Sequence, residues 1–417
     1  MRILYINHYA GSPEHGMEYR PYYLAREWVR SGHAVRMLAA SYSHVRSRQP
    51  ERDGQALRHS MAQTIDGIDY RWFPTPTYQG NGLGRVRNIA SFLGQVTRHA
   101  GNIACEFKPD VVIASSTYPM DIWVARRLAR LAGATLVFEV HDLWPLSPIE
   151  LSGMSPKHPF IRLCSVAEKA AYRDADVVVS MLPKVHQYMA SRGLDLRKLH
   201  IVPNGVAPDE WKGTPAALND SVARVIAAAR SAGRMIVGYA GSHGLPNALD
   251  TLLDAAALLG DAAVDIVLVG DGHEKNRLRR RVADEGLVRV HLLDPIPKKQ
   301  IPAFLGAIDL AYIGWQRVPI YRFGIAPNKL MDYMMAACPV LHSIEAGNDP
   351  VAESGCGLTV PPADAAAVAA GLRQLFGLSP AERRAMGERG RAHVLSHHAY
   401  PVLAQRFLTA ARVAIAT

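Results

Sequence analysis

The stretch Tyr321–Val340, YRFGIAPNKLMDYMMAACPV, gathers residue types able to hold a charged ligand. Pro327 suits the first turn of a helix, where its missing N–H has no partner to lose. Asn328 and Lys329 then fall at that helix N-terminus, so backbone N–H groups and a side-chain cation converge, a pairing fit for a diphosphate. Asp332 lies one turn on, on the same side, where its carboxylate can accept from a ribose diol. The same residues also fit a plain capped helix with a Lys–Asp pair at i, i+3.

Two glycine-bearing loops accompany this stretch. Gly238-Tyr-Ala-Gly241-Ser242-His243-Gly244 follows an apolar strand and precedes a helix expected over Asn247–Leu259. Such a loop lets backbone N–H groups approach a phosphate. Its spacing is not GxGxxG and no acidic residue ends the next strand, so a dinucleotide fingerprint is not met. Gly11–Gly16, GSPEHG, is a second such loop after the first strand. Asp174-Ala-Asp176 leads straight into DVVVS and reads as a helix-to-strand turn rather than a metal-binding pair. Cys105, Cys164, Cys338 and Cys356 lie far apart without a CxxC, which indicates neither a zinc site nor a disulfide framework. No metal site is expected, and no carboxylate pair with glycosidase logic is identifiable from spacing.

The elements that must position these residues alternate between strand and helix. Arg2–Asn7, Ala34–Ala40, Pro109–Ser115, Thr135–Val140 and Asp176–Ser180 are short apolar runs without polar alternation, with helical stretches such as MEYRPYYLAREWVRSG and Met120–Leu131 between them. That pattern marks a parallel sheet covered on both faces. Residues 203–233, with PNGVAPDEWKGTP, break the rhythm and read as a linker. The alternation restarts with Met235–Tyr239, Asp265–Val269, Val288–Leu292, Asp309–Ile313, Val340–Ser343 and Leu358–Val360. The fold class is therefore α/β, with two doubly wound Rossmann-like units whose ligands bind at strand carboxyl ends, in a cleft that the two units share. Leu83–Cys105 places Val86, Ile89, Ala90, Leu93 and Val96 on one helical face among arginines, a pattern shared by a membrane-surface helix and a helix covering a sheet.

At 417 residues, 49% hydrophobic and 20% charged, the chain has apolar side chains for two sizeable cores, which excludes a disordered or collagen-like protein. No apolar run is long enough to span a bilayer, and the opening residues lack a signal-peptide core, so a cytoplasmic protein is expected. Most of the net charge of +10 falls in residues 1–205, with 25 basic against 17 acidic residues. A basic first half suits an anionic partner such as a phospholipid surface or a lipid-linked phosphate. Nucleic acid is not expected, because no recognised motif or aromatic platform accompanies the charge.

Taken together, the segments resemble family 4 retaining glycosyltransferases of the GT-B fold, especially those of bacterial surface-polysaccharide (O-antigen, capsule or exopolysaccharide) assembly. Their donor signature FG-x-SPNKL-x-EYM-x-x-G-x-PV is similar to FGIAPNKLMDYMMAACPV here. HYAGSPEHGMEYRPYYLAREWVRSGHAV, EVHDLWP at Glu139–Pro145, IVPNGV at Ile201–Val206, LVGDG at Leu268–Gly272 and CGLTVPP agree in order over nearly the whole chain. The resemblance implies an N-terminal acceptor-side domain over 1–205, completed by a C-terminal helix over 397–417, and a donor-binding domain over 206–396. Asp332 matches the family's ribose-binding acid. The acid eight residues earlier, which often touches the sugar, is Gly324 here, and the usual Ser of SPNK is Ala326.

Lys329 with Asn328, Leu330 and their amides would hold the diphosphate, with Gly16, Gly241 and Ser242 lining the facing loops. His141 matches the family's His near the reacting sugar and is the catalytic candidate; Asp142 would orient it or touch acceptor. The family's Arg and Lys of the loop after the first strand of the donor domain are absent, with His243 and Asn247 standing in that segment and Arg317 or Arg322 as further phosphate contacts. The implied activity is retaining, metal-independent transfer from a nucleotide-sugar substrate, with no cofactor. The expected donor is UDP-linked and the sugar an N-acetylated hexose. The expected acceptor is a saccharide or a lipid-diphosphate-linked saccharide, with the protein peripheral at the inner face of the plasma membrane. The alternatives are a non-hydrolysing UDP-sugar 2-epimerase and a non-catalytic nucleotide-sugar-binding protein.

Overall fold

Apolar runs without alternation need cover on both faces, and the structure gives the central ones that cover. The computed structural model describes residues 1–16, 19–80 and 82–416. Met17 and Glu18, with which the expected first helix began, and Thr417 lie outside the described residues. The chain divides into two compact units, Met1–Pro203 with Tyr400–Thr417, and Asn204–Ala399.

The first unit contains β1 (Arg2–Ile6), β2 (Ala34–Ala40), a small hairpin of β3 (Glu51–Arg52) and β4 (Gln55–Ala56), β5 (Met61–Ile65), β6 (Ile68–Phe73), β7 (Val111–Ala114), β8 (Thr135–Val140), β9 (Val177–Ser180) and β10 (Leu199–Ile201). Its helices are α1 (Tyr19–Arg30), α2 (Leu83–Arg98), α3 (Ala100–Phe107), α4 (Asp121–Ala132), α5 (Leu146–Ser152), α6 (Pro159–Asp174) and α7 (His186–Ser191). The strand order is β10-β9-β8-β7-β1-β2-β6-β5, with direction of travel reversing between β1 and β7. Sequence reading missed β5, β6 and β10, and its all-parallel sheet needs correcting at one edge, where β5 runs antiparallel to β6. Asp66 and Gly67 join that hairpin, both with positive φ (48° and 78°), the conformation a two-residue turn requires. β5 alternates half-buried and exposed positions up to a buried Ile65, as an edge strand does.

The second unit contains β11 (Met235–Ala240), β12 (Val264–Val269), β13 (Val290–Leu293), β14 (Leu310–Gly314), β15 (Val340–Ser343) and β16 (Gly357–Val360). Its helices are α8 (Asp220–Ser231), α9 (Leu249–Leu259), α10 (Lys275–Asp284), α11 (Ile301–Ala307), α12 (Asn328–Met335), α13 (Pro350–Ser354), α14 (Ala365–Gly377) and α15 (Pro380–His397). The all-parallel order β13-β12-β11-β14-β15-β16 is the doubly wound one, with its switch point between β11 and β14. Ile236 and Ala240 of β11 pack with Phe304, Leu330 and Met334 on one side, and Val237 and Tyr239 pack with Leu252 and Leu372 on the other. Each such side chain contributes about 1.5–3 kcal/mol by leaving water. The expected linker over 203–233 is a correction, since α8 occupies Asp220–Ser231, capped by the Asn219 side chain on the Val222 N–H at 3.0 Å.

α16 (Tyr400–Ala416) closes the first unit. Tyr400 stacks on Tyr23 of α1 at 4.8 Å, Phe407 meets Trp28 edge-on at 5.2 Å, and the Trp28 indole N–H donates to the Ala404 carbonyl. Leu83–Cys105 is not one helix, because the chain breaks at His99 between α2 and α3. The buried face of α2 is Asn88, Ile89, Phe92 and Val96, whereas the expected face members Val86 and Ala90 are exposed.

Candidate active site

α12 begins where sequence spacing placed it, with Pro327 in extended conformation as the residue before the first helical turn. Lys329 does not pair with Asp332. Its ammonium donates to the Tyr239 hydroxyl at 3.0 Å and to Asn247 Oδ1, and lies 4.8 Å from the Tyr239 ring centroid. Both partners are neutral, and burial pulls the Lys329 titration down to about 7. A cation with only neutral partners in a half-buried place is poised for an anion. Tyr239 and Asn247 are held in turn, both donating to the Ser242 carbonyl, at 2.6 and 2.9 Å.

Gly241 lies against this lysine, so that a Cβ there would stand 3.2 Å from the Tyr239 hydroxyl and 3.3 Å from Lys329 Cε. A Cβ on Gly270 would run into the Gly241 carbonyl, so two glycines let the loops after β11 and β12 touch. Ser242 is exposed, as is Asn328. The Leu330 side chain is wholly buried, which leaves its backbone amide as the group able to face a ligand. His243 is a second correction. It is fully enclosed, neither ring nitrogen has a hydrogen-bond partner, and burial, followed by the Lys275 charge, pulls its titration down to about 4. At neutral pH it carries no charge to offer a phosphate and supports the loop from beneath. Arg322 is exposed, with its guanidinium 4.2 Å from the Phe323 ring centroid. Arg317 is paired with Glu345 at 3.5 Å.

Asp332 is half-buried, with Lys298 and Glu210 as its charged neighbours. Among the described residues no donor reaches its carboxylate, and burial raises its titration to about 6, with Lys298 opposing and Glu210 adding to the rise. The loop leading into α12 is pinned from several directions. Asn348 takes the Ile325 N–H at 2.7 Å and donates to the Ile325 carbonyl at 3.2 Å, and Asn204 donates to the Ala326 carbonyl at 2.8 Å. These bonds set where the helix starts.

In the first unit, His141 follows β8 and is buried. Its Nε2 lies 2.8 Å from Ser115 Oγ and 3.3 Å from Glu139 Oε2. Asp142, the next residue, is exposed, and the His141 charge acts on its carboxyl. Glu139 precedes His141 by two residues and so shares its face at the end of the strand. Gly16 has φ 79° in a tight turn in which the Gly16 N–H reaches the Ser12 carbonyl at 2.8 Å, and its Cα faces the Ser47 side chain closely. Asp174 pairs with Arg126 and Arg173 at the helix-to-strand turn, and Asp176 caps the Leu136 N–H at 2.8 Å.

Residues 15–205 match the Glycosyl transferase 4-like domain, and residues 234–377 match the Glycosyl transferases group 1 domain. The chain is a glycosyltransferase of the GT-B fold. Solved structures of similar fold include a sucrose-phosphate synthase from Thermosynechococcus elongatus, at 18% identity over 100% of both chains with TM-score 0.74. Anabaena Alr3699/HepE in complex with UDP and glucose aligns at 17% identity over 98% of both chains, TM-score 0.67. WaaG, a glycosyltransferase involved in lipopolysaccharide biosynthesis, aligns at 15% identity over 99% of both chains, TM-score 0.64. No curated protein matches the chain in sequence.

Within this glycosyltransferase, sequence reasoning left two sets of residues without a role. Tyr239 and Asn247 hold Lys329, and the only signal was their place in the Gly238–Asp250 segment. Glu139 and Ser115 meet His141 and Arg20 pairs with Glu139, and the i, i+2 spacing of Glu139 and His141 at the end of a strand was a signal available in EVHD.

Proposed function

We propose that this glycosyltransferase moves a sugar, an N-acetylated hexose, from a UDP-linked donor to a saccharide or lipid-diphosphate-linked acceptor in surface-polysaccharide assembly, with retention at the anomeric carbon. The observation that carries the donor half is Lys329, a half-buried cation held by neutral partners beside Gly241 at the start of α12. UDP and glucose in the HepE complex, and the lipopolysaccharide role of WaaG, support the choice of nucleotide and pathway class.

In this reading the diphosphate lies between the Gly241 loop and the first turn of α12, and Asp332 accepts from the ribose diol. The acceptor oxygen bonds to the anomeric carbon from the face that the leaving diphosphate vacates, and the acceptor proton passes to the diphosphate. Lys329 and the α12 amides stabilise the charge that grows as the glycosyl–oxygen bond breaks. His141 meets a sugar hydroxyl near the reacting carbon. The donor is a substrate, and the chemistry assigned to these residues uses no cofactor or metal.

The acceptor half rests on surface charge. α4 packs against α2 and α6. These three helices expose Arg87, Arg127, Arg162 and Lys169 together with Leu83 and Val166, at 88% and 60% exposure. Their acids are Asp121 and Glu168, both buried, and Asp174, which is ion-paired. Basic and apolar groups without exposed acids suit an anionic bilayer surface. No helix among the described residues is long and apolar enough to cross a membrane.

Titration calorimetry with UDP, GDP and dTDP, with and without EDTA, tests the donor assignment. Micromolar UDP binding that EDTA leaves unchanged is expected; binding that is absent for all three, or that needs the metal, overturns it.

A further inference from the structure

Around His141 lies a buried set of polar groups that the proposed chemistry does not yet use. Glu139 is fully buried, and Arg20 of α1 pairs with its Oε1 at 2.9 Å. The Tyr5 hydroxyl donates to Oε2 at 2.5 Å, and the Ser115 hydroxyl donates to the same oxygen at 2.6 Å. Arg20 also donates to the Pro203 and Val202 carbonyls, at 2.5 and 2.8 Å, so its guanidinium is anchored at both ends. Burial alone would raise the Glu139 carboxyl, yet Arg20 and then His141 hold it well below the usual carboxylate range. Burial and the Glu139 charge push Tyr5 far up, so it remains a donor. Every group facing Glu139 therefore gives it a proton to share, and the carboxylate is ionised.

The proton count then reaches His141. A serine hydroxyl has one proton. Ser115 gives that proton to Glu139, so its oxygen has only lone pairs for its other neighbours, Asn7 Nδ2 at 3.2 Å and His141 Nε2 at 2.8 Å. Glu139 Oε2, the other atom near Nε2, is likewise only an acceptor. Two acceptors facing one ring nitrogen require that nitrogen to carry hydrogen.

We infer that Glu139 and Ser115 are positioning residues that keep the His141 proton on Nε2, so that Nδ1 is the nitrogen that gains and loses a proton. This inference rests on the reading of His141 as the residue beside the reacting sugar. A buried carboxylate holding a histidine tautomer in this way governs turnover rather than affinity. The charged and titratable groups facing the ring are Glu139 on β8, Asp121 at the start of α4, Asp142 after β8, and Arg20 behind Glu139. Glu139 Oε2 and Ser115 Oγ lie within hydrogen-bond distance of Nε2.

The test is nitrogen NMR of protein labelled with 15N-histidine, with the His141 signals assigned by their loss in His141→Gln. Neutral His141 is expected as the Nε2–H tautomer in the wild-type protein, a measurement that needs no folded variant. Glu139→Gln removes the negative charge and should lower the His141 titration by about one pH unit or more. The same variant should lower the turnover number for UDP-sugar hydrolysis by roughly tenfold or more, with KM within about twofold. Ser115→Ala should lower turnover and Ser115→Thr should restore it. An Nδ1–H tautomer in the wild type, or a His141 titration unmoved in folded Glu139→Gln, overturns the inference. If the tautomer is as expected but His141→Ala turns over donor normally, the functional reading of His141 fails while the proton assignment stands.

Discussion

Replacing Lys329 tests the donor site most directly, because its charge state is coupled to ligand binding. Burial places its titration at about 7 in the free protein, with Tyr239 and Asn247 as neutral partners. A diphosphate beside it favours the ammonium and raises that value. The sign follows from linkage: below about pH 7 the lysine is already charged and binding takes up no proton, while above it each binding event draws in a proton and affinity falls as pH rises. Uptake attributable to Lys329 should be near zero at pH 6, about half a proton at pH 7 and close to one at pH 8. Kd should weaken by about fivefold between pH 7 and 8.

Losing charge-assisted bonds of about 1.5–3 kcal/mol in Lys329→Met should weaken UDP binding by roughly 10- to 150-fold at pH 6. Calorimetry in buffers of different ionisation enthalpy counts the protons. The terminal phosphate of the nucleotide itself titrates near pH 6, so the relevant quantity is the difference between wild type and Lys329→Met. Equal proton uptake by the two proteins at pH 8 would refute the placement of the diphosphate on Lys329.

Asp332→Ala should weaken UDP binding and erase any preference for UDP over its 2′-deoxy analogue; a preference that survives means another group reads the ribose. Gly241→Ala puts a methyl 3.2–3.4 Å from Tyr239 and Lys329 at a φ of 156° that L side chains rarely adopt, so donor KM should rise and the melting temperature should fall. His141→Ala should lose turnover with UDP affinity unchanged, as read by calorimetry beside a hydrolysis assay. Vesicles rich in anionic lipid should sediment the protein at low salt and release it at high salt, and Arg127→Glu with Arg162→Glu should reduce that binding; equal sedimentation with neutral vesicles refutes a charge-driven surface.

How much of this was legible beforehand differs by element. The β1, β7, β8 and β11–β16 runs are local apolar clusters, and clusters need no partner to be seen. β5 and β6 were not, because MAQTI and IDYRWF mix polar and apolar residues at a sheet edge, although the Asp66-Gly67 turn between them was readable. The reading of 203–233 as a linker followed its Pro and Gly content and overlooked the Asn219 cap that starts α8. Lys329 and Asp332 were legible as one helical turn, since their spacing is local. The Lys–Asp pair that the same spacing also allowed does not form, because Tyr239 and Asn247, some eighty to ninety residues earlier, take the ammonium instead.

By itself, the sequence determined the class of fold, the start of α12, and the presence of cation, carboxylate and glycines, because these depend on neighbours within a few residues. Tertiary structure decided which charges are used. Burial, not residue type, makes His243 neutral and enclosed, lowers Lys329 and raises Asp332. It also brings Tyr5, Arg20 and Ser115, from three different elements, onto the Glu139 carboxylate beside His141. Desolvation and long-range hydrogen bonding depend on what the chain folds against each residue, and spacing along the chain carries no record of that.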